Sequence, residues 1–279
     1  MLTGGHRGSD AGKGTQLKNV ETKLIEEFLV ETGDYVRERY AARERVAVVA
    51  KAHASDLLTE VDLTVQKRAV EAVARAFPRD AFIGEEEGLA RFPANPDGRC
   101  WVMDPIDGTY NFVRGLLPMF GVSLAFVEHG VPQAGGVLFP VTGDLLIAER
   151  GGGAYRNGQR IRVSTVRTLE ECSLGVDFGD GGDRISLFER GAGLLRAVGQ
   201  LRCLGCAVLS LCQIATGDAD AYVHLTLTPW DYAASQIIVE EAGGRASRLD
   251  GGPLRLFDGK RGVLFSNSAL HDAIVELFD

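Results

Sequence analysis

The sequence predicts a mixed α/β protein, with an antiparallel-sheet first half and an α/β second half. Three observations predict it. Apolar residues recur at helical spacing between residues 20 and 77. Short apolar segments then crowd together, separated by turn residues, to about residue 160. From about residue 165 strand-like and helix-like segments alternate to the end of the chain.

The elements follow in order. Val20, Leu24, Ile25, Phe28 and Leu29 lie on one helical stripe, which Val36 and Tyr40 extend. The β-branched "VAVVA" is a short strand, and "DLLTEVDLTVQKRAVEAVARAF" is a second long helix with Leu63, Val70, Val73 and Phe77 inward. The strands "AFIGE", "CWVMD", "GVSLAFVEHG", "AGGVLFPV" and "DLLIAER" form a largely antiparallel sheet, and "GGGAYRNGQRI" adds Gly-Gly and Asn-Gly turns. In the second half "SLGVDFG", "LRCLG", "ADAYVHL" and "GVLFSN" read as strands. "RISLFERGAGLLRAV", "CAVLSLCQIATG", the segment from "PWDYAASQIIVEEAGG" and "SALHDAIVELF" read as helices. The change of rhythm divides the chain into a Gly-rich leader (1–16), an α+β unit (17–164) and an α/β unit (165–279). No low-complexity linker separates the two units, so they are expected to pack together around a cleft.

Composition excludes several classes. A net charge of −8 and a pI near 5.3 argue against nucleic-acid binding, although a bound divalent cation would still let an acidic site take an anion. No uncharged apolar run approaches the ~20 residues of a membrane span, and the start of the chain lacks a signal-peptide pattern. Five cysteines, an odd number in a long chain, read as reduced packing thiols, and Cys203 and Cys206 have no second pair to complete a zinc site. A soluble, cytoplasmic protein is expected. The leader's "GSDAGKGT" imitates a phosphate-binding loop, but Arg7 stands where that loop needs Gly, and no strand precedes it.

Chemistry points to the acids. Asp62 in "DLLTEVD", Glu85 and Glu86 in "FIGEEEG", Asp104 and Asp107 in "DPIDGT" and Asp231 in "PWDYAA" stand where the pattern is otherwise apolar or turn-like. Pro105 is expected to stop the strand and press Asp104 into extended geometry, while Gly108 permits the tight reversal that folds Asp107 back toward Asp104. Neighbouring carboxylates repel unless one takes a proton or a cation joins them. Mg²⁺ prefers such oxygen ligands, the Ile106 carbonyl adds a neutral one, and the absence of His and Cys disfavours zinc.

In order along residues 17–279, "DLLTEVD", "FIGEEE", "WVMDPIDGTYNFVRGLLP" and "PWDYAASQIIVEEAGG" resemble the inositol monophosphatase family of metal-dependent phosphatases. The resemblance implies a layered αβαβα fold, a homodimer, a small phosphorylated substrate and two to three Mg²⁺ ions per site. It makes Glu85, Asp104 and the Ile106 carbonyl ligands of one ion, and Asp104, Asp107 and Asp231 ligands of a second. Glu85 would also touch a third. Asp62 and Thr109 would orient and deprotonate the attacking water, and Lys51 aligns with a basic residue near the active-site loop. The Gly108 and Thr109 amides would face the phosphate, and Gly205, Cys206 and Ala207 would line the substrate loop.

Two positions depart from the family pattern. His224 stands where inositol-specific members place a Glu, and Cys206 where a Ser or Thr is usual. Inositol monophosphate is the leading substrate expectation. The same core in relatives acts on histidinol phosphate, 3′-phosphoadenosine 5′-phosphate, fructose 1,6-bisphosphate or NADP. A metal-binding regulatory protein without turnover is the alternative of another class.

Overall fold

A computed structural model describes residues 19–51, 56–86, 98–115, 118–179, 181–258 and 260–278. The leader and its loop-like motif lie outside the described residues. In chain order the elements are α1 (Val20–Ala41), β1 (Val48–Ala50), β2 (Leu57–Thr59), α2 (Glu60–Ala76), β3 (Ala81–Gly84) and β4 (Arg99–Asp107). Next come α3 (Thr109–Arg114), β5 (Gly121–Glu128), β6 (Val131–Phe139), β7 (Asp144–Glu149), β8 (Gly153–Arg156) and β9 (Gln159–Arg160). The second half holds β10 (Ser173–Val176), α4 (Gly181–Arg190), α5 (Ala192–Ala197), β11 (Gln200–Arg202), α6 (Ala207–Thr216) and β12 (Ala221–Leu227). It ends with α7 (Pro229–Glu241), β13 (Arg245–Arg248), β14 (Arg261–Ser266) and α8 (His271–Leu277).

Strands β3 to β9 form a seven-stranded sheet in sequence order, antiparallel except for the parallel β3–β4 pair. A second, five-stranded sheet has the order β11-β10-β12-β14-β13, with β10 parallel to both neighbours. Both sheets are covered on both faces. On β4 the period of two sends Trp101 and Met103 toward a core with Ile25, Leu29 and Val65 of α1 and α2. It sends Cys100 and Val102 toward Val208, Leu211, Ile237 and Ile238 of α6 and α7. That same core includes Tyr222, Val263 and Phe265 of the smaller sheet, so α6 and α7 are the shared middle layer. Leu187, Leu194 and Ile274 close the far face against Leu174, Val223 and Leu264. The result is the five-layer αβαβα arrangement, and it explains why β4 reads as an unbroken apolar run.

Several local expectations are corrected. The long second helix starts only at Glu60, because Leu57–Thr59 pairs with β1. Its inward stripe is therefore Val61, Asp62, Val65, Gln66, Ala69 and Val73, leaving Leu63 50% exposed and Val70 only partly covered. Val20 is also exposed, at the first turn of α1. Pro105 does not end β4: pairing resumes at Asp107–Gly121 after a bulge that follows Asp104–Ser123. Pro105 sits inside that bulge, where its missing N–H removes no ladder bond. The helix expected over "RISLFERGAGLLRAV" is broken at Gly191 into α4 and α5. Strand β13, "RASR", has no apolar alternation to announce it. Among the described residues, no helix is long and apolar enough to cross a membrane.

Candidate active site

Four segments bring the acids to one place: the start of α2, the end of β3, the bulge of β4 and the start of α7. Asp62 and Asp231 arrive by the same device. Each is the third residue of a helix opened by a Thr, and each carboxylate reaches back to cap that turn. Asp62 Oδ2 accepts from the Thr59 amide at 2.9 Å and from the Thr59 hydroxyl. Asp231 Oδ2 accepts from the Thr228 amide at 2.7 Å and its hydroxyl at 2.8 Å. "TEVD" and "TPWD" are the sequence signals for this pair, read above only as acids in apolar surroundings.

Asp104 and Asp107 are anchored in the same half-bound way. Asp104 Oδ1 accepts from the Ile106 amide at 2.9 Å, a turn that shapes the bulge. Asp107 Oδ2 accepts from the Val208 amide at 2.5 Å, in the first turn of α6. Each of the four aspartates thus has one oxygen fixed by a backbone N–H. Gly108 follows at φ 85°, and a Cβ there would stand 2.8 Å from the Met119 carbonyl oxygen. Thr109 opens α3, and its hydroxyl lies 2.8 Å from the Ile106 carbonyl oxygen and 3.3 Å from Asp62 Oδ1.

Glu85 and Glu86 are positioned by partners that sequence reasoning missed in part. The Gln66 side chain pairs with both backbone groups of Glu86, at 3.0 and 3.1 Å. It needs Gly84 beside it, since a Cβ there would fall 2.1 Å from Gln66 Oε1. Lys51 bridges Glu85 at 2.8 Å and Glu86 at 2.9 Å. Burial opposes the Lys51 charge, but the two glutamates outweigh it and hold the ammonium above its ordinary range.

The electrostatics are those of crowded, dehydrated acids. Burial pushes Asp62 up to about 6, with further repulsion from Glu85. Burial and then Glu85 push Asp231 to about 7. Asp104 and Asp107 are raised well above the carboxylate range, by burial first. Asp104 also feels Glu85, Asp107 and Asp231, and Asp107 feels Asp231. Among the described residues, no three His, Cys, Asp or Glu side chains are gathered closely enough to hold a metal ion in this arrangement. The acids are near enough to repel but not drawn into a chelate, and Lys51 sits on the two glutamates. An oxygen-only set, each aspartate half anchored, fits a hard divalent cation.

Of the residues expected to line the substrate loop, Gly205 has φ 65° and its amide donates to Asp177 at 2.8 Å. Cys206 is buried, its thiol 3.6 Å from the Asp107 carbonyl oxygen, and burial raises its pKa well above normal. Ala207 begins α6, beside the Asp107 anchor. His224 is buried on β12, where Nδ1 accepts from the Thr226 amide at 3.0 Å, and burial lowers its pKa. An accepting Nδ1 places the proton of the neutral ring on Nε2. Of the five cysteines, all free, only Cys203 is exposed.

The model of the inositol monophosphatase family matches residues 17–279. A Thermotoga maritima fructose-1,6-bisphosphatase/inositol-1-monophosphatase is 40% identical over 80% of this chain and 82% of its own length. Bos taurus inositol monophosphatase 1 is 33% identical over 88% and 89%, and a Pseudomonas aeruginosa protein named Nus factor SuhB is 37% identical over 75% and 79%. Among solved structures, the Thermotoga maritima IMPase superposes with a TM-score of 0.79 at 34% identity, covering 92% of this chain and 95% of its own. An inositol monophosphate-bound SaIMPase-II has a TM-score of 0.77 at 26% identity, covering 92% and 93%. An IMPase/NADP phosphatase complexed with Mg²⁺ and phosphate has a TM-score of 0.79 at 25% identity, covering 91% and 93%. This chain belongs to the inositol monophosphatase family and is a phosphoric monoester hydrolase of that family.

Proposed function

We propose that the protein is a Mg²⁺-dependent phosphatase of small phosphorylated metabolites, with inositol monophosphate as the first substrate to test. The observation that carries this reading is the Thr109 hydroxyl, set between the Ile106 carbonyl and Asp62 amid four other buried or half-buried acids. Glu85, Asp104, the Ile106 carbonyl, Asp107 and Asp231 would hold the ions. When bound, Mg²⁺ acidifies water and neutralises the charge of the phosphate and of the leaving oxygen. The chain's own work is positional. Thr109 Oγ takes a proton from the attacking water while passing its own to Asp62 Oδ1. A carboxylate raised to about 6 is a better base near neutrality than an ordinary aspartate. The Gly108 and Thr109 amides, at the start of α3, face the phosphate oxygens.

Two relatives support the chemistry by what their names state: one structure holds inositol monophosphate, and another Mg²⁺ with phosphate. The relative named a Nus factor is the reason to keep the non-catalytic alternative in the test. The experiment is a phosphate-release panel with and without Mg²⁺, over inositol, histidinol, adenosine and fructose phosphates and NADP. Asp104→Asn should remove release while leaving the circular dichroism spectrum unchanged. Phosphate release retained in that variant would refute the assignment, and Mg²⁺ binding without release from any substrate would favour the regulatory alternative. His224→Glu, assayed beside it, should move the ranking toward inositol phosphates if His224 shapes specificity.

A further inference from the structure

Asn111 follows Thr109 by two residues in α3, and its side chain is buried. Its Nδ2 donates toward three backbone carbonyls: Met119 at 2.9 Å, Leu204 at 2.8 Å and Gly205 at 3.2 Å. Three acceptors around one position assign it to the NH₂ end of the carboxamide. The carbonyls belong to two separate segments, one leading into β5 and the other into α6. Gly205 lets the second come this close, since a Cβ there would stand 3.4 Å from Asn111 Nδ2.

The Leu204–Gly205 peptide is gripped at its other end as well. Its carbonyl accepts from Asn111, and its N–H donates to Asp177 Oδ1 at 2.8 Å. Asp177 lies just after β10 and is itself held, by the Cys203 thiol at 3.3 Å on Oδ1 and the Tyr222 hydroxyl at 3.0 Å on Oδ2. The C=O and N–H of a trans peptide point in opposite directions, so a donor on one side and an acceptor on the other fix the plane against rotation. Glycine would otherwise let that plane turn, and Leu201–Cys203 and Gly205 are exposed. One turn further on, the Asp107 carboxylate holds the Val208 amide. Bonds of both polarities thus tie the start of α6 to the start of α3.

We propose that Asn111 and Asp177 are positioning residues that clamp the Leu204–Gly205 peptide from opposite ends, keeping the loop before α6 ordered before any phosphate compound arrives. A loop left loose would have to be ordered at the moment of binding, which weakens affinity and spares the step that follows. The clamp is therefore an affinity device, separate from Thr109 and the acids. Its kinetic half rests on the phosphatase reading above, but its structural half is testable without turnover.

Two cysteines of the loop report on it, Cys203 exposed and Cys206 buried. Maleimide labelling followed by mass spectrometry should modify Cys203 and spare Cys206 in the wild type. Asn111→Leu keeps the side-chain shape without the donor, and Asp177→Ala removes the acceptor; each should open Cys206 to labelling. Inorganic phosphate with Mg²⁺ should protect it again. In both variants KM for inositol 1-phosphate and the calorimetric Kd for inorganic phosphate should rise about tenfold, with kcat within about twofold. Asp177→Asn still presents an oxygen to the Gly205 amide and should restore both readouts. Cys206 protected in both variants would overturn the clamp, and so would Cys206 opened with KM and phosphate binding unchanged. A kcat that falls as far as KM rises would overturn the affinity role. If Asn111→Leu does not fold, Asp177→Ala, altered at a half-buried position, decides the matter. Opened Cys206 and weakened phosphate binding, in a protein whose wild type hydrolyses nothing, would keep the clamp and refute the phosphatase reading instead.

Discussion

At the residue scale, the division of labour within single carboxylates decides what substitutions do. Asp62 Oδ2 belongs to the helix cap and Oδ1 faces Thr109. Asp62→Asn should therefore keep the fold, since an amide oxygen still accepts the Thr59 N–H, yet lower kcat by about 10²–10⁴-fold through loss of the base. Steady-state kinetics and a thermal melt of the same sample check both halves. Thr59→Ala removes the other partner of the cap and should cost about 1–2 kcal/mol of stability by urea titration. It should also lower kcat, because Asp62 then loses one of the groups that aim it.

At the element scale, Gly84 and Gln66 form a coupled pair that places Glu85 and Glu86. Gly84→Ala drives a Cβ into the Gln66 amide, so it should lower both melting temperature and Mg²⁺ affinity. Gln66→Ala should also destabilise, and the double variant should cost less than the sum, by about 0.5–3 kcal/mol in a double-mutant cycle. Strict additivity would show that Gln66 does not carry the effect. Much of this scale was legible from the chain. Asn157-Gly158 marked its hairpin, with both residues at positive φ, and "DPIDGT" marked the end of β4. The failures have physical causes. Asp62 and Gln66 occupy inward positions of α2 that a search for apolar residues passes over, which displaced the inward stripe onto Leu63. Pro105 read as a stop because nothing local announces a bulge. The acids could be found by type and spacing, but their anchors on Val208 and Gln66 are contacts across long sequence separations, invisible to periodicity.

At the scale of the whole molecule, the buried acids link folding to pH and to cations. Asp62 is raised to about 6, and Asp231 and Glu86 to about 7, in each case by burial first. A raised pKa means that the folded protein holds protons the unfolded chain has released. Their contribution to stability is thus complete at low pH and lost as pH rises from the ordinary carboxylate range through about 7. A cation that binds only the folded site works in the opposite direction, because it competes with those protons. Saturating Mg²⁺ should raise the melting temperature by about 5 °C at pH 7.5 and far less at pH 5. Melts in chelator and in Mg²⁺ at the two pH values check this, and equal shifts at both would break the link between the acids and the cation. The shared middle layer makes the response global, since α6 anchors Asp107, α7 carries Asp231, and both pack on both sheets.

The four half-anchored aspartates also have a consequence for how such a protein tolerates sequence change. Selection for a folded, abundant chain sees the oxygen bound to the backbone amide, and asparagine satisfies it. Selection for turnover sees the other oxygen, where asparagine presents an NH₂. A library screened only for soluble expression should accept Asn at Asp62, Asp104, Asp107 and Asp231, and the same library screened for phosphate release should reject it at every one.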